Sequence, residues 1–331
     1  MQIIAELAQG FEGRAEQARL LLVAAATAGA DAAKYQLVIA DELAVPGYKH
    51  YDLFKSLEMP DEVWHGLSTR ASASGIELQL DIFGSRSLHL AVRLGVTTVK
   101  LHGTDIANRG LLAEVAASAV QTVLLGAGGG FSSELDEALD VLAGKQVVVL
   151  LGFQGYPTPD QANQIARVRS LVERFATRHP AVRVGFADHA LPTSALRYAL
   201  AATAVGAGAA VVEKHLTLGR IMALEDHESA LNPDEFAEFV GIVRACSAAM
   251  GSASSADDFG MSAAEHGYRT AIRRHVVAAR SLPKGTILAP ADLALKRTAA
   301  DHPLTDLQRA YERTLKRGIE QNEPLFAADI E

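Results

Sequence analysis

Eight short apolar or β-branched runs, most of them followed by a longer Ala/Leu-rich amphipathic run, succeed one another over the first 250 residues. The short runs are residues 2–7, 32–38, 76–83, 98–102, 122–126, 147–153, 183–189 and 210–217. Helix-like stretches lie between them, among them 14–29, 132–142, 160–177, 193–205 and 233–250. Parallel strands need a crossover between them, and a helix that covers the sheet face is the usual one. Eight strand–helix repeats in this length predict a parallel (β/α)8 TIM barrel. A doubly wound open sheet also alternates, but it usually has fewer strands, and no Gly-x-Gly-x-x-Gly follows the first run. Gly29 is placed to stop the first helix, and Asn232-Pro233 reads as N-cap and first helical residue. The connection 39–60 is long and carries Pro46-Gly47 and several aromatics, as loops over a site or a subunit contact do.

Composition changes after residue 250. Residues 251–262 are small, polar and weakly patterned, and 251–272 is expected to be a linker between a barrel over 1–250 and a module over 273–331. In that module 275–279 and 286–288 look like strands and 306–313 like a short helix. It holds ten basic and eight acidic side chains, whereas the whole chain has 31 and 39 and a net charge of −8. That balance gives no pull toward nucleic acid or an anionic membrane. No uncharged stretch of 18 apolar residues and no signal-peptide pattern is visible, so a cytoplasmic protein is expected. The single cysteine, Cys246, excludes an intrachain disulfide and reads as a small buried apolar residue.

A barrel of this kind carries its chemistry at the C-terminal ends of its strands. The polar residues there are Glu6; Lys34 and Gln36; Gln79 and Asp81; Lys100, His102 and Asp105; Gln154 and Tyr156; Asp188 and His189; Glu213, Lys214 and His215; and Asp226 in the last loop. His189 and His215, on neighbouring strands, suggest a divalent metal completed by water and substrate oxygens; the alternative is a hydrogen-bonded pair in the barrel mouth. The run 126–130, with Gly126 and Gly128, suits a phosphate or carboxylate held by main-chain N–H groups, or is simply a tight turn. Lys100 could add positive charge beside it. Glu6 could act as general acid or base, or be a structural partner of Lys34 or Lys100. Asp105 and Asp226 could bind sugar hydroxyls or an amide N–H, or be solvated.

Several segments resemble the sialic acid synthase family, which includes legionaminic and pseudaminic acid synthases and spore-coat polysaccharide synthases. They are Ile4-Ala5-Glu6, Lys34-Tyr35-Gln36, Lys100-Leu101-His102-Gly103-Thr104-Asp105, Tyr156-Pro157, Asp188-His189, Glu213-Lys214-His215-Leu216-Thr217-Leu218 and Asp226-His227-Glu228-Ser229-Ala230-Leu231. The tail resembles that family's antifreeze-like (SAF) module. The resemblance implies condensation of phosphoenolpyruvate with an N-acyl amino-sugar aldehyde to a 2-keto-3-deoxy acid. It also implies Mn2+ or Mg2+ as cofactor and a domain-swapped homodimer. By the same resemblance His189 and His215 match the metal ligands, Glu6 a proton-handling carboxylate, and Lys100 the lysine on the phosphate. Gln36, Asp105, Tyr156, Glu213 and Asp226 match the lining of the sugar and metal region. Arg297 matches the SAF arginine that reaches the partner subunit's barrel and holds the N-acyl group.

The chain departs from that pattern mainly in the anion pocket. Gly126 and Ala127 stand where the family has a serine–threonine pair, Gly103 and Ala187 where it has serine, and Asp81 where it has threonine. Asparagine or serine is usual near Gln154, and Gly10-Phe11 replaces an Asn-His pair. Each lost hydrogen bond to a charged group costs on the order of 1.5–3 kcal/mol if nothing replaces it. Three functions follow in order: the synthase, a metal-dependent aldolase or lyase working on pyruvate, and a non-catalytic sugar-binding homologue.

Overall fold

The β-rich runs form eight parallel strands that close on themselves. They are β1 (Gln2–Ala8), β2 (Ala32–Gln36), β3 (Glu77–Ile82), β4 (Thr98–Leu101), β5 (Thr122–Gly126), β6 (Gln146–Leu151), β7 (Arg183–Asp188) and β8 (Val211–His215). They lie in sequence order, with β8 paired back to β1. The structure, a computed structural model, describes residues 1–152, 155–251 and 257–331. It divides into two units, Met1–Gly251 and Ser252–Glu331. The first unit is the expected (β/α)8 TIM barrel. Phe153 and Gln154, at the end of the sixth run, lie outside the described residues.

Two apolar layers hold the barrel together. The outer one lies between strands and helices. The helix Ala15–Thr27 buries Ala18, Leu21, Leu22 and Ala25, which its 3.6-residue period puts on one face. Gly29, at φ +83°, turns the chain away where a side chain would be strained. The helix Pro233–Ala249 starts as expected: the Asn232 N–H donates to Glu235. Its buried stripe is Phe236, Phe239, Val240 and Val243, and Cys246 beside that stripe is half-buried rather than buried.

The inner layer plugs the barrel with Ile4, Ala32, Leu124, Val148, Leu150 and Val211. Strand side chains alternate, so the residue two positions on returns to the barrel interior, one layer higher. From Ile4, Ala32 and Val211 that step reaches Glu6, Lys34 and Glu213. From Leu124 it reaches Gly126.

Some local expectations are revised. The connection 39–60 is partly helical, with Ala40–Leu43 and Tyr51–Leu57. It is docked on the barrel: the Glu42 carboxylate accepts the Arg86 and Ser87 N–H groups at the start of the helix Ser85–Arg93. The stretch 160–177 is not one helix. A 3-10 turn, Asp160–Asn163, is followed by Gln164 at φ +49° and then the helix Ala166–Arg178. The helix expected from 193 begins only at Ala199, because Ser194 is engaged by the Asp160 carboxylate in the preceding turn.

In the second unit β9 (His275–Ala278) and β10 (Leu293–Lys296) pair antiparallel. Val276, Ala278, Leu282, Leu288, Leu293, Leu304, Leu315, Ile319 and Leu325 are the main apolar residues of its own core. Arg317 ties this module together through Asp329 at 2.6 Å and Glu323 at 2.7 Å. The run 286–288 makes a single bridge, Ile287 with Thr314, and 306–313 supplies only the 3-10 turn Leu307–Arg309. The segment expected to be a linker holds the helix Ala263–Ile272. Ser262 caps it: its hydroxyl accepts the Glu265 N–H while the Glu265 carboxylate accepts the Ser262 N–H. Residues 252–256 of that segment lie outside the described residues.

Candidate active site

Above the apolar plug lies a floor of five charged side chains, contributed by β1, β2, β3, β4 and β8. Lys34 is fully buried and pairs with Glu6, with Asp81 at 2.6 Å and with Glu213 at 3.4 Å. Lys100 meets Glu213 at 2.7 Å, Glu6 at 3.6 Å and Asp81 at 3.8 Å. All three carboxylates are 2 % exposed or less. Charges survive such burial only when paired. Three acids and two bases share this space, so one negative charge is in excess.

The excess falls on Glu6. Burial pushes its carboxyl up to about 8; Lys34 opposes that, and Asp81 and Glu213 reinforce it. Glu213 is held well below the usual carboxylate range: burial works against its charge, but Lys100 and Lys34 outweigh burial. Lys100 is likewise disfavoured by burial but raised by Asp81, Glu213 and Glu6, and stays charged. At neutral pH Glu6 therefore holds a proton, while Glu213 stays ionised and Lys34 and Lys100 stay charged.

A ring cluster stands over this floor. The Tyr156 ring lies 4.7 Å from that of His189 and 5.6 Å from that of His215, and the two imidazoles are 5.3 Å apart, centroid to centroid. Both histidines are buried. Burial, with His189 adding to it, lowers His215 well below its ordinary value, so its imidazole is neutral. The backbone around the pair is fastened from several sides. The His189 carbonyl accepts from the Ser229 hydroxyl at 2.9 Å and the Thr158 N–H at 2.8 Å, and the His215 carbonyl accepts from the Leu231 N–H. Behind the barrel wall, fully buried Lys214 donates to Asp188 and to the Ala190 carbonyl, each at 3.1 Å. Asp188 in turn accepts the Ala190 N–H. Among the described residues no group of three or more His, Cys, Asp or Glu is arranged as a metal site.

Other expected residues are partly reassigned. Gln36 accepts a hydrogen bond from the Gln9 side chain at 2.7 Å. Asp226 is raised to about 6 by burial, with the Gln9 N–H nearby opposing that shift. Gln9 thus lies beside both, two residues beyond the apolar run 2–7 that marks the first strand. The sequence signal is a polar residue just past that run; the turn at Ala8, φ +42°, is visible only in the structure. Asp105 is used inside its own loop, where it accepts from the Asn108 amide at 3.2 Å. Lys34 and Asp81, both noted by sequence but not chosen as site residues, prove central to the floor. Arg297 belongs to the second unit, where its Nε donates to the Ile272 carbonyl at 3.2 Å.

The glycine-rich run is less of an anion cradle than expected. The Ala127 N–H donates to Leu150 and the Gly130 N–H to Ala127. Only the Gly128 and Gly129 N–H groups lack an acceptor among the described residues. The run is instead packed against the neighbouring loop. A Cβ on Gly126 would come within 2.7 Å of the Gly103 nitrogen, and one on Gly103 within 2.9 Å of the Gly128 oxygen. The two glycines thus depend on one another, which accounts for serine being absent at both. Gly126→Ser should cost about 1–3 kcal/mol by overpacking, read as a lower denaturation midpoint; an unchanged midpoint would show that the loops can part freely. Gly10-Phe11 has a separate explanation. Phe11 is fully buried and packs edge-on against Tyr35 and Trp64, on the helix side of the wall.

Known proteins agree with this architecture. Residues 21–255 match the NeuB family and residues 273–331 the SAF domain. The chain is 28% identical over 320 residues to N,N'-diacetyllegionaminic acid synthase of Legionella pneumophila, covering 89% of this chain and 85% of that protein. It is 30% identical over 257 residues to the spore coat polysaccharide biosynthesis protein SpsE of Bacillus subtilis, covering 73% and 66%. Its fold is that of the N-acetylneuraminic acid synthetase from Leptospira borgpetersenii, with a TM-score of 0.73 at 24% identity, covering 82% of this chain and 92% of that one. A closed eight-stranded barrel, a match over most of its length and a C-terminal SAF domain together place the chain in the NeuB family.

Proposed function

We propose that the protein joins phosphoenolpyruvate to an N-acyl amino sugar, or a related aldehyde, and releases phosphate. The product is a 2-keto-3-deoxy acid for surface polysaccharide. In this reaction C3 of the enol ester attacks the aldehyde carbon, water adds to C2, and phosphate leaves. The observation that carries the reading is the convergence of Glu6, Lys100 and Glu213 beneath the Tyr156–His189–His215 cluster at one end of the barrel. Relatives named as legionaminic and pseudaminic acid synthases support it.

The donor set fits a divalent cation. A metal ligand must be an unprotonated imidazole, which His215 is, and rings 5.3 Å apart are close enough to share an ion at about 2 Å from each nitrogen. His189 and His215 would hold Mn2+ or Mg2+, leaving positions for water and sugar oxygens. The ion supplies Lewis-acid polarisation of the aldehyde when bound. The protein's own side chains do the rest. Glu6 holds a proton on its carboxyl at neutral pH and gives it up within the closed floor. Lys100 exchanges part of its pairing with Glu213 for the donor's phosphate. Glu213 stays ionised and keeps both lysines charged. Gln36, Tyr156 and Asp226 line the sugar side, Asp105 lies in the adjoining loop, and Gly128 offers one main-chain N–H. A domain-swapped homodimer, in which Arg297 of one subunit serves the other's barrel, completes the reading, and the cytoplasm is the place proposed for it.

The test is phosphate release from phosphoenolpyruvate with Mn2+ and a panel of amino sugars. Absence of release with every aldehyde would end this reading. Its pH dependence follows from Glu6. The acid form is lost as pH rises through about 8, so kcat should fall above that value. In Glu6→Gln that limb should vanish and the remaining rate be about 10²–10⁴-fold lower. A limb retained in the variant assigns the proton to another group.

A second reading is favoured by one feature: both lysines are already engaged by carboxylates. A phosphate-free donor such as pyruvate would need less positive charge. Cleavage of a sialic-type acid to pyruvate, with no response to phosphoenolpyruvate, would establish this aldolase or lyase instead.

A further inference from the structure

The barrel floor gathers three carboxyl groups around two lysines, and Asp81 is the one that touches both lysines from the β3 side. Its Oδ1 takes 2.6 Å of contact from Lys34, and its Oδ2 lies 3.8 Å from Lys100. That Oδ2 is buried and accepts no hydrogen bond, and Glu213 Oε2 is in the same condition. Each of these two oxygens has a lysine within ion-pair range, at 3.8 Å and 3.4 Å, but no hydrogen-bond donor. A phosphate dianion has only acceptor oxygens to offer, so it meets repulsion from these atoms as well as competition for the lysines. Little else nearby relieves it. Burial, with Lys100 adding to it, lowers His102, so that ring is neutral and brings no charge. The Gly126 and Gly103 backbones are in close contact, with no room for a hydroxyl side chain.

We propose that Asp81 is a specificity-determining residue for the donor's charge, lowering the site's affinity for a donor that bears a phosphate dianion relative to the matching phosphate-free monoanion. This deepens the synthase reading and rests on it for the place of the donor. Without Asp81 the two lysines would share only the carboxyl groups of Glu6 and Glu213, and Lys100 would have fewer carboxyl partners to exchange for a phosphate. Asp81 acts through Lys34 and Lys100, so its effect belongs to donor binding and not to the sugar.

The experiment measures dissociation constants for phosphoenolpyruvate and for pyruvate by calorimetry, in the full-length protein and in Asp81→Asn, both with Mn2+ present. Asparagine keeps the shape and removes the charge. The expected result is at least a tenfold gain in phosphoenolpyruvate affinity and less than a threefold change for pyruvate. An unchanged ratio of the two constants overturns the proposal, as does binding of neither donor to either protein. If Asp81→Asn fails to fold, Asp81→Ser decides by the same two constants: a gain for phosphoenolpyruvate alone is expected, and an unchanged ratio overturns the idea. These readouts need no turnover. Loss of the synthase reading, seen as no phosphate release with any aldehyde, is therefore a separate result.

Discussion

His215→Ala should lower kcat/KM by about three orders of magnitude, equivalent to roughly 4 kcal/mol of transition-state stabilisation. The neutral His215 imidazole stands beside the His189 ring above the charged floor, 5.3 Å from it and tilted by 59°. With only two protein donors, loss of one leaves a cation on a single ring, and affinity for it should collapse. Manganese binding followed by electron paramagnetic resonance separates this from a folding defect. The variant should show free Mn2+ at concentrations that saturate the parent, while its thermal midpoint stays close. His215 is tied to its neighbours through its carbonyl, which accepts from Leu231 and survives truncation of the ring. Tight Mn2+ binding and near-normal turnover in the variant would remove the histidine pair from the mechanism.

Lys34→Met should destabilise the barrel by about 3–5 kcal/mol, since removing one partner strands buried charge on the other side. For a unit of this size that is a fall in the thermal midpoint of roughly 6–20 °C. Lys34 touches all three carboxylates, and without it Glu6, Asp81 and Glu213 have only Lys100. The loss should depend on pH in a definite direction. Lys34 is what holds Glu6 down, so the variant's Glu6 rises further above 8 and keeps its proton longer. A carboxyl raised on folding stabilises most below its unfolded value of about 4.5 and loses that contribution as pH climbs through its folded one. The gap between the two proteins should therefore widen toward alkaline pH and narrow toward acid. A gap that is flat across that window would mean the floor is solvated and its charges are independent.

How far the site could be foreseen depends on whether a residue's role is set along the chain or across it. Glu6, Lys34, Lys100, Glu213 and His215 were all visible as polar residues in or at the end of apolar runs. The partner choices among them were not. From sequence Lys34 reads as a structural companion of Glu6, and Asp81 as a departure in the anion pocket. Phe11 stands where the family has a polar residue, yet it lies in an aromatic cluster behind the wall. The glycines at 103 and 126 look like two separate losses, whereas the backbones of their two loops touch. The helix Ala263–Ile272 is hidden in the sequence because small polar residues precede it and obscure the Ser262–Glu265 cap.

By itself the sequence determined the (β/α)8 barrel, the separate C-terminal module and the height of each inward side chain, because a strand's period of two is a local property. Ile4 beneath Glu6 and Val211 beneath Glu213 follow from that period without any knowledge of neighbours. Only the tertiary structure decided that Lys100 and Glu213, 113 residues apart, share a hydrogen bond, or that three acids meet two lysines. The reason is physical. Pairing across a closed barrel depends on stagger and curvature summed over several strands, and Coulomb energies in a buried site change within one or two ångströms.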